Sequence, residues 1–248
     1  DYKNIWDPSV NWMRAKDENG EWIEWLEKTT YGQGCIESNP FQQAWFVPHD
    51  VQGLVNLMGE AYFAKELETF FEKAPQDLQW NEYYNHPNEP CHHVAFLFNY
   101  INKPWLTQKW SRRICDIAYG LGTYGLGGNE DVGQLSAWYI LAAMGFHPVC
   151  PGDGIYLLSS PKFDEITIQL DPDFYSGKSF TIIARNNSKE NIYVQSARLN
   201  NKPLHRSWIT HEEIVSGGTL EFELGPQPNH DWGEAPATSN LPGGFEDK

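Results

Sequence analysis

The sequence has no apolar run that could cross a membrane, because polar or charged residues interrupt every window of about 18 residues. Basic residues are also few: 18 Lys and Arg stand against 33 Asp and Glu, which gives a formal net charge of −15. A surface this negative repels phosphate groups, which argues against proteins that bind nucleic acid or anionic membranes. It suits neutral ligands, or cations held by carboxylates.

Cysteine is scarce and shows no metal-binding spacing. The four residues form no CxxC pair, and their positions fix no disulfide pairing, so we expect mostly buried thiols. They are Cys35, Cys91, Cys115 and Cys150. The chain also opens without the charged and apolar segments of a signal peptide. It begins at Asp1 inside what reads as structured sequence, which indicates a processed or truncated product.

Aromatic residues, in contrast, are plentiful. The 11 Trp, 12 Tyr and 13 Phe make up 15% of the chain. Flat aromatic faces suit the apolar faces of sugar rings, but they also fill hydrophobic cores, and composition alone leaves both interpretations open. A hydrophobic content of 40% over 248 residues is enough for one large domain or two smaller ones.

The hydrophobic periodicity divides the chain. From about residue 41 to 146, apolar residues recur at helical spacing, and Asp50 has the position of a helix N-cap. Past Pro151 the period changes to two, which predicts strands; Asn200-Asn201 is a predicted turn between two of them. We therefore predict a mainly α fold with a β part.

We assign residues 1–150 to a helical domain that carries the candidate loops. Residues 151–248 form a β-rich region with a loosely held tail. About five helices are predicted, each with an apolar face that needs a neighbour. The missing neighbours are expected upstream of Asp1.

Three loops concentrate carboxylates, amides and aromatics just before helices. They comprise residues 37–50, 83–93 and 127–139. Hydrolysis of a glycosidic bond needs two carboxyl groups in different protonation states. Glu37 has the more apolar sequence neighbours, which would raise its pKa and suit a general acid. Asp131, among glycines and amides, suits a general base or a cation ligand. The simpler alternatives are a surface carboxylate for Glu37 and a helix N-cap for Asp131.

The same loops offer oxygen donors for a hard cation such as Ca²⁺. These donors are Asn88, Glu89, Glu130 and Asp131. Their spacing is not that of an EF-hand, so the sequence signal for a metal is weak. Zinc is disfavoured, because His92 and His93 are adjacent and no HExxH motif or Cys/His quartet accompanies them. We predict that both histidines make hydrogen bonds at the start of a helix.

The three loops, in this order, resemble those of the glycoside hydrolase family 92 α-mannosidases. The resemblance covers nearly the whole chain. It rests on Glu37 with Phe41-Gln42 and Trp45-Phe46-Val47-Pro48-His49-Asp50, on Asn88-Glu89-Pro90-Cys91-His92-His93, and on Gly128-Asn129-Glu130-Asp131-Val132-Gly133-Gln134-Leu135-Ser136-Ala137-Trp138-Tyr139.

This resemblance implies part of an (α/α)₆ barrel followed by a small β region, in an exo-acting, inverting enzyme that uses Ca²⁺. It implies that Glu37 is the general acid and Asp131 the general base. Metal ligands would come from Asn88, Glu89 and Asp131. Contacts to a mannose-containing glycan are assigned to four residues: Asn39, Gln42, His86 and Glu130. His86 lies near the loop where the leaving-group sugar would bind.

Two departures from the family pattern concern the site. Asn129 stands where some members have Asp, so a two-aspartate base would depend on Asp131 alone, with Glu130 beside it. Glu37 is followed by Ser-Asn-Pro where many members have Gly-Asn-Ala. The family's enzymes are also much longer, which implies a missing N-terminal half as the partner of this chain.

The resemblance implies a bacterial enzyme that is secreted, periplasmic or bound to the cell surface. The alternatives are an (α/α)-barrel glycosidase for another sugar, a non-catalytic carbohydrate-binding remnant, and a structural interaction domain.

Overall fold

The structure is a computed structural model that describes residues 2–236. These residues pack as two compact units. The first contains residues up to Val94 together with Ile117–Leu135, and the second contains Ala95–Asp116 and residues from Ser136 onward. These units are groups of residues that pack together. The predicted division at residue 150 instead separates a helical part, with the candidate loops, from a β-rich part. That division stays a prediction, and part of the tail that we expected to be loosely held lies outside the described residues.

The first unit begins with a 3₁₀ turn and a two-stranded antiparallel ribbon, followed by three helices. Their bounds are Tyr2–Ile5 for the turn, β1 Trp6–Asp7, β2 Trp12–Met13, α1 Pro40–Gln43, α2 Val51–Met58 and α3 Glu60–Glu72. The predicted N-cap of α2 is confirmed, since the Gly53 N–H donates to Asp50 Oδ1 at 2.9 Å.

Aromatic side chains build the core of this unit. The ring of Trp12 meets Phe41 and Trp45 edge-on, with centroids 5.3 and 5.6 Å apart, and Phe41 packs against Phe70 at 5.0 Å. All four side chains are buried. Such edge-to-face pairs add about 0.5–1.5 kcal/mol each to the burial of the rings. Packing therefore accounts for much of the aromatic content that we had also considered as a sugar-binding signal.

Two helices connect the units in sequence, and a third lies near the C-terminus. They are α4 Pro104–Ile117, α5 Gln134–Met144 and α6 His211–Val215. A capping box begins α6, with Thr210 and Glu213 in reciprocal hydrogen bonds. Val94–Ile101 lies in the region of α-helical apolar spacing, but it is a 3₁₀ helix and follows another at Glu89–Cys91. Every residue from 94 to 101 is buried. The segment therefore packs on all its sides, whereas an amphipathic α-helix would bury only one face.

The second unit contains a five-stranded and a three-stranded sheet. Strand order is β5-β6-β10-β7-β8 in the first and β3-β4-β9 in the second. The strands are β3 Phe146–His147, β4 Ile155–Leu158, β5 Glu165–Gln169, β6 Ser179–Arg185, β7 Tyr193–Leu199, β8 Lys202–Leu204, β9 Trp208–Thr210 and β10 Gly218–Gly225. The predicted turn at Asn200-Asn201 is confirmed as the link from β7 to β8, and both residues have positive φ.

The last strand completes the larger sheet. β10 pairs parallel to β6 on one side and antiparallel to β7 on the other. Its side chains at Leu220, Phe222 and Leu224 are buried in the core of the unit. Within residues 2–236, none of the helices has the length and apolar character needed to cross a membrane.

The four cysteines are free thiols. Cys91 and Cys115 are buried, as predicted, whereas Cys35 and Cys150 are partly exposed.

Candidate active site

The first loop presents Glu37 on an exposed turn. Glu37 has a left-handed backbone conformation, with φ of 56°, and both it and its neighbour Ile36 are exposed. The apolar environment expected for Glu37 is therefore wrong, because its hydrophobic neighbour points away from any core. The Glu37 carbonyl oxygen accepts a hydrogen bond from the Asn88 side-chain amide at 3.1 Å. This bond joins the first loop to the second.

Two buried amides hold the start of α1. Asn39 Oδ1 accepts from the Gln42 N–H at 2.9 Å, and the Asn39 amide donates to the carbonyls of Thr29 and Glu82. Gln42 donates to the carbonyls of Asn81 and Tyr83 at 2.7 and 2.8 Å. These contacts tie the first loop to the segment before His86. The predicted contact of Asn39 and Gln42 with substrate stays a prediction.

Histidines in the second loop form buried hydrogen bonds. His86 is 1% exposed, and its two ring nitrogens lie 2.8 Å from the Tyr84 hydroxyl and 2.7 Å from the Tyr119 hydroxyl. His92 Nε2 contacts the His86 carbonyl and His93 Nε2 contacts the Trp45 carbonyl. Burial lowers the pKa of both His92 and His93 to about 4, so both are neutral at pH 7. Their predicted hydrogen-bonding role is confirmed.

Glu89 is the most perturbed carboxyl group of the site. It lies at the start of the 3₁₀ helix Glu89–Cys91, and its Oε1 is buried without a hydrogen-bond partner. Burial raises its pKa; a hydrogen bond to Asp131 and the negative charges of Asp131 and Glu37 raise it further. Glu89 of the second loop is therefore close enough to Asp131 of the third loop and to Glu37 of the first for their charges to affect it.

The third loop holds Asp131 in an unusual backbone conformation. Asp131, Val132 and Gly133 have consecutive positive φ values of 47°, 59° and 93°. A β-branched residue such as Val132 rarely adopts this region, and its side chain is fully exposed. The Asp131 carbonyl accepts from the N–H of Gln134, the first residue of α5. The backbone thus turns sharply and leaves the exposed Asp131 side chain beside Glu89.

Close contact between the second and third loops requires a glycine. A Cβ on Gly128 would lie 2.6 Å from the Pro87 carbonyl oxygen and 2.9 Å from its Cα. The backbone of the third loop therefore passes directly against the residue before Asn88. Glu130, the remaining predicted sugar contact, is half-buried in the same loop, and its carbonyl accepts from the Leu135 N–H.

The donors brought together fit part of a hard-cation site. Glu89 has an orphaned buried oxygen, and its pKa is raised first by burial and then by the hydrogen bond and negative charge of Asp131, which a cation would offset. In the part of the chain that the structure describes, no three His, Cys, Asp or Glu side chains are grouped for metal binding. Ca²⁺ takes about six to eight oxygen ligands, so Asn88, Glu89 and Asp131 would supply only some of them.

The sequence is similar to a known family and to a curated protein. A sequence model of the glycosyl hydrolase family 92 catalytic domain matches residues 1–226. An uncharacterised secreted glycosidase of Arthroderma benhamiae is 32% identical over 208 residues, which cover 83% of this chain and 25% of that protein.

Solved structures with the same mixed helix-and-sheet fold include a family GH92 α-mannosidase of Bacteroides thetaiotaomicron. It has a TM-score of 0.87 and 36% identity, over 98% of this chain and 32% of that one. Its complex with mannoimidazole has a TM-score of 0.85 and 34% identity, over 98% and 33%. A family GH92 inverting mannosidase of the same organism has a TM-score of 0.85 and 33% identity, over 97% and 34%. The chain thus spans about a third of the length of these solved relatives.

Proposed function

The chain belongs to glycosyl hydrolase family 92, and we propose that it carries the catalytic carboxyl groups of a calcium-dependent, inverting exo-α-mannosidase. The observation that supports this most strongly is the position of Glu89, which shares a hydrogen bond with Asp131 of the third loop and lies within electrostatic reach of Glu37 of the first. Similar solved structures are described as α-mannosidases, one of them inverting and one with bound mannoimidazole. The proposed substrate is a terminal α-linked mannose of a glycan.

In the proposed mechanism, Glu37 protonates the glycosidic oxygen as the bond to the leaving sugar breaks. Asp131 accepts a proton from the water that attacks the opposite face of the mannose ring. The exposure of both side chains leaves them accessible to substrate and water. Inversion calls for carboxyl groups about 6.5–9.5 Å apart, with the water between them.

Glu89 has a different proposed role. Burial and the neighbouring negative charges disfavour the ionised form of Glu89 and raise its pKa, and a bound cation would offset that cost, so its buried, unpartnered oxygen suits a metal ligand. Asn88, Glu89 and Asp131 would hold Ca²⁺, which supplies a positive charge that binds sugar hydroxyl groups and favours distortion of the ring. The Asn88 amide would also fix the backbone at Glu37 through the bond between them.

The rest of the enzyme is proposed to come from a longer protein. We propose that the helices here form part of an (α/α)₆ barrel that an upstream half completes, since the solved relatives extend well beyond the matched region. Asn39, Gln42, His86 and Glu130 are proposed to contact or support the bound sugars. Secretion is proposed from the description of the curated relative.

Glu37→Gln and Asp131→Asn test the catalytic roles in the full-length protein that carries this chain. Each should lower kcat on α-mannobiosides by about 10²–10⁴-fold, because each removes a proton-transfer group. Glu18→Gln changes an exposed carboxylate in the turn at residues 17–20, outside the three loops, and serves as the control. Release of mannose and its initial anomer are followed by NMR. Full turnover by either site variant would contradict its role, whereas sugar binding without turnover in the unmodified protein would favour a carbohydrate-binding remnant.

Melting of this chain with Ca²⁺ and with chelator tests the cation site separately. Ca²⁺ should raise the melting temperature, because a ligand that binds the folded state stabilises it. Glu89→Gln should abolish this rise. In chelator, the same variant should melt above the unmodified chain, because it removes one of two adjoining negative charges. Glu18→Gln should retain the calcium effect. An undiminished rise in Glu89→Gln would exclude Glu89 as a ligand.

A further inference from the structure

Tyr119 joins two of the loops that carry the carboxyl groups. Its hydroxyl group lies 2.7 Å from His86 Nε2 in the second loop and 2.9 Å from the carbonyl oxygen of Leu135. His86 is three positions before Glu89, and Leu135 is four positions after Asp131. Its ring also packs edge-on against His86, with centroids 5.2 Å apart. One side chain thus contacts the immediate surroundings of two carboxyl groups that share a hydrogen bond.

The direction of each hydrogen bond follows from the donors that are present. A carbonyl oxygen only accepts, so the single hydroxyl proton of Tyr119 is donated to Leu135. The Tyr119 oxygen must then accept from His86 Nε2–H. This places a proton on His86 Nε2, and His86 Nδ1 lies 2.8 Å from the Tyr84 hydroxyl. The hydrogen bonds therefore run from His86 Nε2 through the Tyr119 hydroxyl to the Leu135 carbonyl.

A second set of hydrogen bonds joins the same segments. His92 Nε2–H donates to the His86 carbonyl at 2.9 Å, which leaves Nδ1 to accept from the Gln134 side-chain amide at 3.2 Å. Gln134 and Leu135 are the first two residues of α5. Both links therefore attach the second loop to the point where the third loop enters its helix, and only the link through Tyr119 uses a residue outside these two loops.

We propose that Tyr119 is a positioning residue, which fixes Asp131 relative to Glu89 by holding the start of α5 against His86. The importance of Tyr119 for catalysis rests on the function proposed above, in which Asp131 is the general base. Asp131 lies on an exposed turn with three consecutive left-handed residues, so the turn itself offers little to hold the carboxyl group in place. Small misplacements of a reacting group are costly, at about 10²-fold in rate for 1 Å.

Tyr119→Phe, compared with Tyr156→Phe, tests the proposal by hydrogen exchange on this chain. Each change removes one hydroxyl group that contacts a histidine, but the Tyr156 partner is His211 in the second unit. Tyr119→Phe should speed amide exchange in residues 84–93 and 127–135 by about tenfold or more, with exchange in β10 unchanged. Tyr156→Phe should leave amide exchange in both loops unchanged. Unchanged exchange in the loops of Tyr119→Phe, or equal acceleration throughout the chain, would overturn the proposal.

Steady-state kinetics of the full-length protein distinguish positioning from general stability. Tyr119→Phe should lower kcat by about 10- to 100-fold and leave KM within about twofold, because it disturbs the carboxyl groups more than the sugar contacts. An unchanged kcat beside faster loop exchange would overturn the positioning role and leave the proposed function intact. Absence of turnover in the unmodified protein would instead refute the proposed function, and the exchange measurement would still decide whether Tyr119 holds the loops.

Discussion

His93 is a buried base held neutral by its surroundings. Its Nε2 donates to the Trp45 carbonyl, and burial lowers its pKa to about 4. An unfolded histidine titrates near pH 6.5, so the unfolded state binds a proton before the folded state does. The stability that this difference contributes is complete above about pH 6.5 and is lost as the pH falls toward 4. His92, with a pKa also lowered to about 4, acts in the same direction.

His93→Gln should make the chain less sensitive to acid. Glutamine keeps a donor for the Trp45 carbonyl but does not titrate. Between pH 7.5 and 5, the variant should lose less unfolding free energy than the unmodified chain, by on the order of 2 kcal/mol. Urea unfolding at the two pH values measures this difference. His205→Gln, at an exposed histidine, should show the same pH dependence as the unmodified chain. If the unfolding free energy of His93→Gln fell by as much between pH 7.5 and 5 as that of the unmodified chain, the role given to His93 would be wrong.

At the scale of elements, the second and third loops are held at contact distance. Gly128 lies against Pro87, where a Cβ has no space. Gly128→Ala should therefore lower the unfolding free energy by about 1–3 kcal/mol as the loops separate. Gly152→Ala is the matched control, since its Cβ would meet no atom within 4 Å. The control should stay within about 0.5 kcal/mol of the unmodified chain in urea unfolding. An unchanged unfolding free energy in Gly128→Ala would show that the two loops can separate without loss of stability.

Local signals in the sequence predicted local structure well. Asp50 caps α2 and Asn200-Asn201 turns between strands, as predicted, because in both cases the responsible atoms lie a few residues apart. The three loops also stood out in the sequence as clusters of oxygen-bearing side chains, and their catalytic roles stay predictions.

Features that depend on distant partners were not predicted. Tyr119 bonds to residues 33 and 16 positions away, and nothing in its own neighbourhood singles it out. The exposure of Glu37 was missed for a related reason. Apolar neighbours in sequence bury a side chain only if the backbone turns them toward a core, and here a left-handed residue turns Ile36 outward.

At the scale of the whole molecule, the larger sheet depends on β10 for its integrity. β10 lies between β6 and β7, and it supplies the hydrogen bonds that both of these strands make on their inner sides. A chain that ends at Gly217 should therefore lose the cooperative unfolding of the second unit, because two separate hairpins remain and the core loses several buried side chains. A chain that ends at Pro236 is the control. Urea unfolding followed by amide exchange in β6 and β7 compares them, and retained protection in the shorter chain would contradict the prediction.

This strand order has a consequence for biosynthesis. β6 and β7 leave the ribosome well before β10, so a nascent chain carries two hairpins whose inner edges have no partner. Unpaired strand edges readily join with other chains. In the interval between synthesis of Leu199 and of Gly225, these two strand edges are thus open to wrong pairing. Slow translation over these residues would extend that exposure, and chaperones that cover strand edges would be most useful then.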